Sequence, residues 1–141
     1  MLIQGSIKLS RPLEENACKL LNALAETSRY ARDVTVIGTG FGVEGEFYTA
    51  EEMESALVPH RPPVSQPTEQ LDWFISEDGT ELFYDEAAEI PVNAHKWLRY
   101  LITKFFQPKG IVLNGKMRFS RPSDDAEILV IEVKNNQIEV L

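Results

Sequence analysis

The chain has 141 residues, 43% of them hydrophobic and 26% charged, a balance that suits one globular domain rather than a disordered segment. Its formal net charge of −8 disfavours nucleic acid as a direct partner, and its single cysteine excludes an internal disulfide and any multi-cysteine zinc centre. No apolar run approaches the roughly 20 residues that span a bilayer, and no basic-then-apolar leader opens the chain, so neither a membrane nor a signal peptide is expected and a cytoplasmic setting is.

Taken in chain order, LIQGSIKL (2–9) predicts a first strand anchored by Leu2, Ile7 and Leu9 around a glycine. Pro12 then suits the first turn of a helix. Leu13, Ala17, Leu20, Leu21 and Leu24 recur at helical spacing and give that helix one apolar stripe. Cys18 lies beside the stripe with nothing adjacent to activate a thiolate, so a packed, inert thiol is expected.

VIGTGFGVEG (36–45) invites comparison with a dinucleotide-binding loop, which needs G-x-G-x-x-G between a strand and a helix. Gly38 and Gly40 fit, but the third glycine would fall on Val43. Phe41, Val43, Gly45 and Phe47 alternate with Gly42, Glu44, Glu46 and Tyr48, which predicts a strand instead of a helix start. Two glutamates would also stand where phosphates belong. The glycines are read as a turn or bulge between two strands, and no cofactor is expected.

TAEEMESAL can form a short helix, with Thr49 and Glu52 as a capping box. Pro59, Pro62, Pro63 and Pro67 then stiffen a loop over about 57–70, read as an internal connection of one domain, 1–141. WFISEDGTELFY (73–84) is a hairpin signal. Its Asp78-Gly79 turn pairs Ile75 with Leu82, Phe74 with Phe83 and Trp73 with Tyr84. From about Val92 a second helix carries Ala94, Trp97, Leu98, Leu101, Ile102 and Phe105 on one face, and Pro108 and Gly110 stop it. Ile111, Leu113, Gly115, Met117 and Phe119 then alternate as one face of a strand. A second hairpin turns at Asn135-Asn136, setting Val133 against Ile138, Ile131 against Val140 and Glu132 against Glu139.

The order β-α-β-β-loop-β-β-α-β-β-β predicts an α+β fold, a mostly antiparallel sheet with two amphipathic helices packed on one face.

Motifs for catalysis are sparse. His60 sits in the proline loop and His95 in the first turn of the second helix, with no H-E-x-x-H pattern between them. Asp124-Asp125 lacks the spacing of a calcium loop, and no serine elbow or phosphate loop is present. No metal site and no catalytic residue are expected, although a small enzyme using carboxylates and His95 stays open as an alternative.

The charge is uneven. Residues 1–43 hold five basic and four acidic groups, residues 44–90 thirteen acidic groups against Arg61 alone, and residues 91–141 eight basic and five acidic groups. The acidic middle reads as a surface for a basic partner protein, from a host or a phage. Candidate partner-binding residues fall in two groups: Glu44, Glu46, Glu51, Glu52 and Glu54, and then Asp72, Glu77, Asp78, Glu81, Asp85, Glu86 and Glu89. The expected function is a non-enzymatic interaction module. A sharper form is an inhibitor that imitates nucleic acid, as some anti-CRISPR proteins do, and a structural or assembly component of a phage is the further alternative.

WLRYLITKFFQPKGIVLNGKMRF (97–119) resembles the pattern W-L-x-Y-L-I-x-x-F-x-x-P-x-G-x-x-L-N-G of a family of small uncharacterised phage and bacterial proteins, and IEVKNNQIEV is similar to their ending. Trp97, Leu98, Tyr100, Leu101, Ile102, Phe105, Pro108, Gly110, Leu113, Asn114 and Gly115 carry the match. The family pattern often continues with an acidic residue and a tryptophan, where this chain has Lys116 and Phe119. The resemblance covers the last third of the chain and implies a phage or mobile-element setting without an activity.

Overall fold

The computed structural model describes residues 1–49, 61–88 and 91–141. Strand β1 spans Leu2–Leu9 and leads into helix α1, Glu15–Glu26. A short helix α2, Val34–Ile37, precedes the hairpin strands β2, Trp73–Ile75, and β3, Glu81–Tyr84. Helix α3, Ala94–Leu101, is followed by β4, Leu113–Ser120, β5, Glu127–Lys134, and β6, Gln137–Val140. The fold is α+β.

Among the described residues, six strands form one open sheet in the order β2-β3-β1-β4-β5-β6, every neighbouring pair antiparallel. Both hairpins take the register that their alternation predicts. Trp73 opposes Tyr84, Phe74 opposes Phe83 and Ile75 opposes Leu82. Ile131 opposes Val140, Glu132 opposes Glu139 and Val133 opposes Ile138, about a turn in which Asn135 and Asn136 both adopt positive φ.

Directly opposed residues share a face, so Leu82, Ile7, Gly115, Val133 and Ile138 line up across four ladders. That face meets both long helices. Ala17, Leu21 and Leu24 of α1 and Trp97, Leu98 and Leu101 of α3 join Ile7, Trp73, Leu113, Met117, Ile131 and Val133 in one buried cluster. Trp73 and Trp97 are also held by their indole N–H groups, which donate to the Ala94 carbonyl at 2.9 Å and to Thr68 Oγ1 at 2.7 Å. Helix α3 widens into a π turn over Ile102–Phe106, which buries both Phe105 and Phe106, and Gly110 then ends it at φ 69°.

β1 and β4 leave no room for a side chain at one point of their ladder. Gly5 has φ 88°, and a Cβ there would lie 2.0 Å from the Lys116 carbonyl oxygen, so only glycine fits.

Segment 34–48 departs from expectation. The sequence predicts two strands there; the chain instead forms α2 and single 3₁₀ turns at Thr39–Phe41 and Val43–Gly45. Positive φ at Gly38, Gly42, Glu44 and Gly45 bends the backbone too often for a strand to run. Burial is inverted as well: Phe41 and Val43 are exposed while Glu46 is 1% exposed. The capping box at Thr49–Glu52 falls largely outside the described residues, as does the loop through His60.

Candidate partner-binding surface

The β2–β3 hairpin is the best-supported piece of the acidic middle. Its turn closes with Gly79 N–H donating to the Ser76 carbonyl at 2.9 Å, and Asp78 Oδ1 accepts from Ser76 Oγ, Thr80 Oγ1 and Thr80 N–H. Those donors hold the Asp78 carboxyl below its usual range, the Thr80 hydroxyl most of all. The tip is docked too, because Leu13 N–H donates to the Gly79 carbonyl at 2.9 Å. Glu77 and Asp78 therefore project from a fixed support, both exposed.

The face of this hairpin turned away from the helices carries Phe74 and Phe83, while Trp73 and Tyr84 are buried on the other. Phe74 and Phe83 stack with ring centroids 5.7 Å apart and planes 16° from parallel, and Phe83 is 48% exposed. Glu81, Asp85 and Glu86 lie beside them. Together with Ile3, Gly5, Ser6, Leu82, Tyr84 and Met117 they line a cleft of about 650 Å³ between β1 and β3. Among the described residues no lysine or arginine lines it; Lys8 stands opposite Glu81 on the adjoining ladder.

Asp72 enters the same region at φ 61°, its carbonyl accepting from Asp85 N–H at 2.9 Å. Burial, and then the neighbouring Asp85 charge, push the Asp72 carboxyl above its usual range. Burial and the same two carboxylates raise the Tyr84 phenol. The field at this end of the hairpin is negative and only partly solvated.

The first candidate group is a different matter. Glu46, expected on a surface, is buried: its Oε1 accepts from Tyr100 Oη at 2.6 Å and Ser65 Oγ at 3.2 Å, its Oε2 accepts from Val43 N–H at 2.8 Å, and Lys104 Nζ stands 3.5 Å away. Burial pushes the carboxyl up, but these donors outweigh it and leave Glu46 below its ordinary value. Glu44 forms a two-pronged ion pair with Arg61 and accepts from Val64 N–H at 2.8 Å, which lowers its pKa to about 2. Both glutamates thus tie residues 61–66 to the glycine-rich turns, Glu46 from a buried position and Glu44 from a partly exposed one. Glu51, Glu52, Glu54 and Glu89 lie outside the described residues.

Sequence reasoning missed the network behind Glu46. Gln66 Nε2 donates to the Glu46 carbonyl at 2.7 Å and to Tyr100 Oη at 3.1 Å. Arg29 is fully buried, with Nη2 on the Tyr48 carbonyl and Nε and Nη1 unpartnered, and burial together with nearby Arg32 lowers its pKa to about 10. Nothing in the spacing of these residues announces them, because their partners lie tens of residues apart.

His95 is half-buried, its pKa pulled down by burial and then by the Arg99 and Lys96 charges. Among the described residues no group of three or more His, Cys, Asp or Glu side chains is placed to hold a metal ion. Cys18 is half-buried, and burial and then the Asp78 and Glu15 charges raise its thiol pKa, as suits an inert thiol. Among the described residues no helix is long and apolar enough to cross a membrane. No family model matches the chain, and no curated protein or solved structure matches it either.

Proposed function

We propose that this protein is a non-enzymatic interaction module that binds a basic surface of a partner protein through the outer face of the β2–β3 hairpin. The observation that carries this reading is the exposed Phe83, stacked on Phe74 and flanked by Glu81, Asp85 and Glu86. An aromatic pair at the centre with charge around it is the make-up of an interface, where desolvated rings supply affinity and the rim steers the encounter. Among the described residues of the acidic middle, Glu46 is buried and Glu44 is paired with Arg61, which favours this hairpin as the contact. A phage or mobile-element setting, with a basic host protein as the partner, is the finer form of the proposal, and imitation of nucleic acid by the hairpin carboxylates is its sharpest form.

The test is affinity capture from lysate with the parent protein and with a Glu81→Lys/Glu86→Lys variant shown to be folded. A partner retained by the parent and lost by the variant supports the reading. Identical captured sets from the two proteins would overturn it.

A further inference from the structure

The ladder between β1 and β3 stops early. Leu9 N–H donates to the Thr80 carbonyl, Ile7 opposes Leu82, and no rung follows. By the alternation of an antiparallel pair, the next hydrogen-bonded rung would join Gly5 to Tyr84. Gly5, at φ 88°, keeps its place opposite Met117 of β4 but has no partner on β3, and the cleft described above lies at this point. Gly5 and Tyr84 therefore border the cleft from opposite strands with no ladder pairing between them.

We propose that this gap receives an extended basic segment of the partner protein, with one arginine or lysine side chain seated in it. This rests on reading the hairpin face as the interaction surface. Unpaired strand edges select a peptide over a small molecule, because a peptide main chain can supply the missing donors and acceptors. The lining selects the side chain. Ile3 and the rings of Phe74 and Phe83 offer apolar surface to an aliphatic stem, while Glu81, Asp85 and Glu86 supply carboxylates for a cationic head. A volume of about 650 Å³ is ample for such a side chain and part of its backbone.

The experiment titrates isotope-labelled protein with the peptide Val-Arg-Val-Arg-Val, with Val-Glu-Val-Glu-Val as control, and follows backbone amide signals. The Arg peptide is expected to bind saturably and to shift the Gly5 and Tyr84 amides, and the Glu peptide to do neither. A Ser6→Trp variant, which fills the gap and keeps every carboxylate, should weaken Arg-peptide binding at least tenfold. Should that variant not fold, the amide shifts of the parent decide the matter alone. Shifts confined to Glu77, Asp78 and Phe83, or equal binding to parent and Ser6→Trp protein, would overturn insertion into the gap while leaving the hairpin face as a binding surface. Absence of Arg-peptide binding at millimolar concentration would overturn the gap as a site for basic peptides, and the capture experiment above would still judge the hairpin reading separately.

Discussion

Tyr100 donates its phenolic hydroxyl to Glu46 Oε1 across 2.6 Å, joining helix α3 to a turn 54 residues earlier. The carboxylate is 1% exposed, so it persists only because every side of it meets a donor. Tyr100→Phe should therefore cost about 1–3 kcal/mol, the penalty of leaving a buried acceptor short of its partner. Urea unfolding of parent and variant measures it; an unchanged midpoint would mean that the hydroxyl is dispensable.

The same region governs acid stability. Glu44 and Glu46 both have folded-state pKa values below the ordinary 4.5, Glu44 at about 2. Their contribution is fully present above 4.5 and is lost as pH falls through the lower folded values. Melting temperature should fall steeply below about pH 4.5, and a Glu44→Gln/Glu46→Gln variant, less stable at neutral pH, should show a flatter acid limb. Parallel curves for the two proteins would contradict this.

Two glycines of similar φ should behave differently. Gly5→Ala places a methyl group 2.0 Å from the Lys116 carbonyl oxygen, whereas Gly38→Ala meets nothing within 4 Å. The Gly38 change should cost only the backbone term of about 1–2 kcal/mol, and the Gly5 change clearly more, because two strands must move apart. Equal losses in chemical denaturation would show that β1 and β4 are not held so closely.

The 36–45 stretch curls into 3₁₀ turns with Glu46 folded against them, in place of the strand–turn–helix that a dinucleotide site uses. Melting temperature should be unmoved by NAD or ATP, while any true ligand would raise it with concentration. A concentration-dependent rise with either nucleotide would reopen the loop as a binding site.

How far the sequence announces this molecule depends on where each residue finds its partners. The Asp78-Gly79 and Asn135-Asn136 hairpins are legible to the residue because each strand pairs with its immediate neighbour in sequence. The Trp97–Phe105 stripe is legible because one helix face meets one sheet face. Segment 34–48 is not. Its alternating pattern imitates a strand, but positive φ at its glycines bends it, and Glu46 is buried by Ser65, Tyr100 and Lys104, which no local pattern links to it. In the candidate surface, the hairpin carboxylates are visible in the sequence. The cleft beside them is not, since it arises where β1 leaves β3.

The central claim is that the outer hairpin face makes the contact, and the association rate of the captured partner tests it most directly. Glu86 is exposed and Glu81 is half-buried opposite Lys8, so Glu81→Lys/Glu86→Lys should stay folded at a cost of no more than about 1 kcal/mol and yet associate on the order of tenfold more slowly at low salt. The difference should shrink as salt rises from about 0.05 M to about 0.5 M, because screening removes the steering that the parent enjoys. Parent and variant rates that coincide at every salt concentration would contradict the account.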